Sequence, residues 1–309
     1  MMDSQRRFRR IPAALSCLDW LLLTGWAAPR RADLTVSHRA RSLQPGEVVL
    51  LAIDSIRPLR QVSASAFGRE FRCFAEADPL KWTGLIGIDL DIKPGRYPVR
   101  ISALESDGKT LTSEYPLVII GKNFPTRKLT VDEKFVSPPA AEQPRIQKEA
   151  ERVAAIFSAV SLQRYWSGSF LLPVPGAPIS EFGKRSIYNG QPRSPHAGTD
   201  FAGAAGTPIK APNAGVVVLA ADLYYSGGTV ILDHGLGLYS YFGHMSAIAV
   251  REGERVAAGD VVGKVGATGL VTGPHLHWSV RLAGSRVDPL SLVYLLGENS
   301  QKANLRKRL

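Results

Sequence analysis

Polar and apolar positions alternate in short runs along most of this chain, and glycine, proline and aspartate cut the runs apart. Between Asp33 and Gly121, EVVLLAI (47–53), REFRCFA (69–75), WTGLIGIDL (82–90), YPVRISAL (97–104) and SEYPLVII (113–120) are rich in β-branched and aromatic residues. Gln44-Pro45-Gly46, Lys93-Pro94-Gly95 and Asp107-Gly108 separate them, the last a hairpin signal. Short strands at this spacing predict a small β-sandwich of immunoglobulin-like size over residues 32–121. No titratable cluster falls in it, and His38, beside Arg39, reads as an ordinary surface histidine.

The period changes over residues 122–168. KNFPTRKLTVDEKFVSPPAAEQP is polar and marked by prolines, as a linker would be. RIQKEAERVAAIFSAV (145–160) then sets Ile146, Ala150, Val153, Ile156, Phe157 and Val160 at helical spacing behind Pro144. One amphipathic helix packed on a domain is predicted. From about Phe170 the strand texture returns: GVVVLAA, GTVILDHG, GLYSYFGHMS, RVAAGDVVGKVG and PHLHWSVRLAG leave hardly any room for helices. The fold class is therefore all-β, with residues 169–296 forming antiparallel sheet around a groove.

A chain of 309 residues, 45% hydrophobic and 21% charged, has the composition of a globular protein with real cores and room for two domains. Its net charge of +11 changes that picture only at the ends. Six arginines among residues 1–31, and Lys302, Arg306, Lys307 and Arg308 in the tail, carry most of the excess. Concentrated there, the charge argues against a nucleic-acid-binding face and leaves peripheral association with a membrane or wall open. RRFRR followed by IPAALSCLDWLLLTGWAA reads as a secretory leader over 1–31, so an exported protein of the periplasm or cell envelope is expected. The last residues, 297–309, read as a basic tail. No other segment reaches the roughly 18–20 apolar residues of a membrane span. With the leader gone, Cys73 has no Cys17 to pair with, so no intramolecular disulfide is expected. A monomer is the expectation.

Five of the six histidines lie between residues 196 and 277. In SPHAGTDFAG, His196 and Asp200 are four apart, and Gly198 between them gives the backbone freedom to turn both side chains to one point. A neutral imidazole and a carboxylate suit zinc, although such a pair alone is more often a hydrogen-bonded surface pair. In PHLHWSV, the two-residue repeat of a strand puts His275 and His277 on one face and Leu276 and Trp278 on the opposite, buried one. His196, Asp200 and one member of the pair make three protein ligands, and spacing does not say which member. No cysteine is at hand to close the fourth position, which points to an open, catalytic zinc site whose water becomes acidic. His244, in YFGHMS at a strand end, and the other paired histidine are the candidates for general base and oxyanion stabiliser.

HAGTD and TGPHLHW resemble the two signature motifs of the lysostaphin-type, or LytM-domain, zinc endopeptidases, which cut peptidoglycan. DHGLGLYSYFGHMS, EGERVAAGDVVGKVGATG and VDPLSLV fit the same family's pattern in the same order, so the resemblance covers roughly residues 170–296. It implies zinc held by His196, Asp200 and His277, with His275 and His244 activating water and stabilising the tetrahedral intermediate. The implied partner is the peptide stem or cross-bridge of peptidoglycan, a D-alanyl to diaminopimelate cross-link in preference to a glycine bridge. The alternative is a non-catalytic LytM-type regulator of another wall hydrolase; such regulators have typically lost zinc ligands, and this sequence retains every motif residue. REGERVAAGDVVGKVGATG also resembles a lipoyl or biotinyl carrier, but Lys264 lies inside an alternating strand and not at a hairpin tip. His234, in LDHG, reads as structural, and Tyr188 and Asn189 as part of a turn in a groove-edge loop.

Overall fold

The computed structural model describes residues 33–130, 133 and 136–297. The expected leader, and the basic tail beyond Gly297, lie outside the described residues. The N-terminal part consists of seven strands: β1 (Leu34–Ala40), β2 (Val48–Ser55), β3 (Leu59–Ala66), β4 (Arg69–Ala75), β5 (Lys81–Gly87), β6 (Gly95–Glu105) and β7 (Thr110–Ile119). They pair antiparallel throughout, in the order β1-β2-β5-β4-β3-β6-β7. Hydrogen bonding thus runs through all seven as one path, in which β4 pairs with β3 through Arg69–Arg72 and with β5 through Cys73–Ala75. The ends of the path meet: His38 Nδ1 lies 2.7 Å from the Tyr115 hydroxyl, and Ile120 N donates to Leu43 O. Alternation explains the curl, because Leu51, Ile53, Phe71, Ile86, Ile101 and Leu117 all point inward and are almost fully buried.

The segment expected to be a plain linker contains one more strand, β8 (Thr126–Leu129), every residue of it exposed. After it comes α1 (Gln143–Ser158), entered through Pro144 in its first turn as the sequence predicts. No residue of α1 is fully buried; Val153, Ile156 and Phe157 rest on Leu219, Leu223, Ile231 and Tyr239, with the Phe157 and Tyr239 rings edge to face at 5.7 Å.

Twelve further strands follow: β9 (Pro178–Ser180), β10 (Arg185–Tyr188), β11 (Gln191–Pro192), β12 (Gly198–Ala202), β13 (Pro208–Lys210), β14 (Gly215–Leu223), β15 (Gly227–Gly235), β16 (Leu238–Ile248), β17 (Arg255–Val256), β18 (Val261–Val265), β19 (His275–Leu282) and β20 (Ser285–Val287). The main antiparallel sheet runs β17-β14-β15-β16-β19-β12-β9, with β18 bridging β13 and β16, and β20 beside β19. A second, three-stranded sheet has the order β11-β10-β8, in which β8 and β10 are parallel. One helix went unforeseen in this strand-rich region, α2 (Pro289–Leu296). The Asp288 carboxylate caps it by accepting from Leu290 N, and Pro289 starts its first turn.

Buried side chains of the N-terminal sheet and of the β12–β16–β19 sheet form one continuous apolar cluster. Polar contacts stitch the same boundary. Arg286 donates to Asp89 and Asp91, at 2.5 and 2.6 Å. Arg41 is shared between Glu47 (2.7 Å) and Asp288 (2.6 Å). Among the described residues no helix is long and apolar enough to cross a membrane.

Candidate metal centre

Three neighbouring strands position the site. Antiparallel pairing of β12 with β19 sets Asp200 directly opposite His277 and Ala202 opposite His275. On the far side of β19, Gly243 of β16 pairs with His277, which brings His244 to the same place. As alternation requires, Leu276 and Trp278 face the other way and are fully buried. His196 arrives from the loop before β12. That loop is held by two backbone bonds, Gly183 N to His196 O and His196 N to Lys184 O.

The polar atoms converge. His196 Nε2 is 3.0 Å from Asp200 Oδ1 and 3.0 Å from His277 Nδ1, and His277 Nδ1 is 2.9 Å from Asp200 Oδ1. Among the described residues these three side chains form a group whose ligand atoms all lie within 4.8 Å of one another. A tetrahedral ion with bonds of about 2.0–2.1 Å spaces its ligands by about 3.3 Å, close to this triangle. Protons satisfy it poorly, because two ring nitrogens that both donate to Oδ1 must face each other at 3.0 Å. A cation lets all three atoms present lone pairs. The outer contacts agree: His196 Nδ1 donates to Glu181 O at 3.0 Å, which fixes the tautomer and frees Nε2 for a metal.

Gly198 works differently from the sequence-based expectation. Its φ is not positive, so conformational freedom is not the reason for glycine. A Cβ there would come within 2.7 Å of His277 Cε1, so glycine leaves room for the imidazole.

Burial opposes charge on Asp200, but hydrogen bonds from His196 and His277 outweigh it and hold the carboxyl well below the usual range. Burial also opposes protonation of His196, and there the Asp200 carboxylate wins, raising its pKa. At His277 burial prevails over the same carboxylate and lowers the pKa. His244 is lowered to about 4 by burial and then by the His277 charge.

His275 and His244 complete the cluster from one side, their rings 4.9 Å apart. His275 Nδ1 donates to Gly273 O (2.9 Å) and His244 Nδ1 to Thr268 O (3.0 Å), so each neutral ring turns an unprotonated Nε2 away from its carbonyl. His275 Nε2 lies 3.8 Å from Asp200 Oδ1. His244 holds a left-handed φ of 64°, unusual for a residue other than glycine, and is kept there by its amide bond to Ser226 O at 2.6 Å. The fixing carbonyls of Glu181, Thr268 and Gly273 were invisible to sequence reading, because a backbone acceptor has no residue signature.

Residues 194–289 match the family model described as Peptidase family M23. A solved chain assigned to peptidase M23 from Pseudomonas aeruginosa is 33% identical, with a TM-score of 0.65 over 82% of this chain and 96% of that one. This chain belongs to peptidase family M23. Among curated relatives, the peptidoglycan DD-endopeptidase ShyA of Vibrio cholerae is 38% identical over 112 residues, 36% of this chain and 26% of that protein. The DD-carboxypeptidase/endopeptidase Mpg of Neisseria meningitidis is 38% identical over 106 residues, 34% of this chain and 24% of that protein. This M23 chain thus spans about a quarter of the length of the curated relatives it matches.

The remaining sequence candidates have partners other than the three metal-ligand side chains. Tyr188 ends β10 beneath the Arg193 guanidinium, 5.7 Å from its ring, and Asn189 makes the β10–β11 turn at φ 49°. Fully buried His234 lies between Ala214 O (2.8 Å) and Ser240 Oγ (2.9 Å), as a structural histidine does. Burial pushes it down to about 4, from an ordinary 6.5. The unfolded chain therefore binds a proton that the folded state refuses between these values. Stability is full above pH 6.5 and falls by about 3 kcal/mol as pH drops to 4. Urea midpoints at pH 7.0 and 4.5 should show a smaller acid loss in His234→Gln than in the parent; equal losses would reject this assignment.

Proposed function

We propose that this protein is a zinc-dependent endopeptidase that hydrolyses peptide cross-links of peptidoglycan, exported to the cell envelope. The observation that carries the reading is the convergence of His196 Nε2, Asp200 Oδ1 and His277 Nδ1 on one point, with the His244 and His275 rings beside it. His196, Asp200 and His277 would hold the metal. Zinc, when bound, supplies Lewis acidity that polarises the scissile carbonyl and acidifies water.

The chain's own part is proton transfer. His275, held by Gly273 O, accepts the proton of the attacking water at Nε2. Once charged, it can return that proton to the departing amine. Neutral His244 likewise presents an acceptor, because Thr268 O takes its Nδ1 proton; it stabilises an oxyanion only after Nε2 is itself protonated. His275→Ala should keep its zinc while turnover falls about 100-fold. Metal analysis and single-turnover rates on one preparation check this, and loss of zinc would instead make His275 a ligand.

Retention of all five side chains in one cluster favours catalysis over the non-catalytic regulator. Zinc-loaded protein should release peptide fragments from isolated sacculi, identified by mass spectrometry, and a chelator should stop the release. No release with zinc restored would reject the proposal.

A further inference from the structure

The strand hidden in the linker has a consequence for the substrate. Parallel pairing of β8 with β10 sets Arg127 beside Ser186, and the hairpin to β11 brings Arg193 to the other side of Ser186, where Arg193 N donates to Ser186 O at 2.9 Å. In-register neighbours share a face, so Arg127, Ser186 and Arg193 form one row across the three-stranded sheet. Arg127 is exposed and donates through Nε to Ser186 Oγ at 3.1 Å, so that among the described residues its terminal NH2 groups and the serine proton remain for another acceptor. Among the described residues no carboxylate pairs with Arg127. The row adjoins the metal ligands: His196 follows Arg193 by three residues, and its amide donates at 2.9 Å to the carbonyl of Lys184, two residues before Ser186.

We infer that Arg127, with the Ser186 hydroxyl, is a subsite for a carboxylate of the substrate peptide beside the scissile bond. This rests on the endopeptidase reading and deepens it. Cross-linked stem peptides carry free carboxylates within a residue or two of the amide to be cut, and a guanidinium fork is suited to them. Lys128, Lys184 and Arg185, in the same small sheet and its approach, add positive potential that draws such a substrate in. The linker would then complete the substrate groove, and not merely join two halves of the chain.

Two synthetic cross-linked peptides, identical except for a carboxylate or carboxamide next to the scissile bond, test this with the full zinc-loaded chain. The parent protein should favour the carboxylate peptide by about 10-fold in kcat/KM, mostly through KM, and the preference should shrink with salt. Arg127→Ala should bring the ratio between the peptides to about one at unchanged zinc content, and Arg127→Lys should keep part of it. Absence of a preference in the parent would overturn the inference. So would an equal loss on both peptides in Arg127→Ala, which would make Arg127 a tuner of His196. Calorimetric binding of the same peptides reads the preference without turnover. An Arg127-dependent difference there without any cleavage would keep the subsite and remove only the endopeptidase reading.

Discussion

His196→Ala is expected to yield a folded protein that holds almost no zinc and releases no detectable peptide from sacculi. The proposed site has only three protein ligands, so none can be lost without leaving the ion largely to solvent. Groups that merely orient a ligand cost roughly 10–100-fold in affinity when removed, and a direct ligand should cost more. Folding should survive, since Asp200 keeps its 2.9 Å contact with His277 and both sit on paired strands. A readout free of turnover comes from linkage. Added zinc should raise the unfolding midpoint of the parent protein, because it binds only the folded state, and should not move that of the variant. A variant that retained one zinc per chain and parental activity would remove His196 from the ligand set.

The second large effect lies away from the metal, in Arg41→Met. Arg41 donates to both oxygens of Glu47, at 2.7 Å from one terminal nitrogen and 3.0 Å from Nε, and to Asp288 at 2.6 Å. Glu47 is 2% exposed, and its remaining help comes from Ser291 Oγ at 2.7 Å and Lys122 at 3.8 Å. Burial disfavours a charged arginine there, but bonds to the two carboxylates outweigh it and raise the Arg41 pKa. Removing the cation strands two buried carboxylates, at about 3 kcal/mol. Asp288 also caps α2 and accepts from Thr199 Oγ1 at 3.3 Å, so the damage reaches the strand that carries Asp200. Urea denaturation should show the loss. Arg41→Met combined with Glu47→Gln should cost less than the two single changes added together, because the second change removes a stranded charge. Strict additivity would reject the network.

Legibility followed the strength of the local signal. β2 and β4 to β7 stood out because each carries large apolar or aromatic residues at buried positions. β1 and β3, LTVSHRA and LRQVSASA, escaped because alanine and polar or charged residues fill more than half of their places. β8 carries no inward residue at all and exists only because β10 lies beside it. α2 was lost among strands: eight residues are too few for a helical period to show, although Asp288-Pro289 marked its start.

For the site, the sequence by itself determined the histidine pair's shared face, since a strand's repeat is local, and the absence of any nearby cysteine. It also held the spaced motifs that match the M23 family. Tertiary structure decided what depends on register: Asp200 opposes His277 and not His275, and His244 reaches them from β16, beside Gly243 opposite His277. It decided as well that Arg127, far away in the chain, stands beside Ser186, ten residues before His196. Pairing partners are chosen by packing over the whole sheet, and no window of sequence contains that choice.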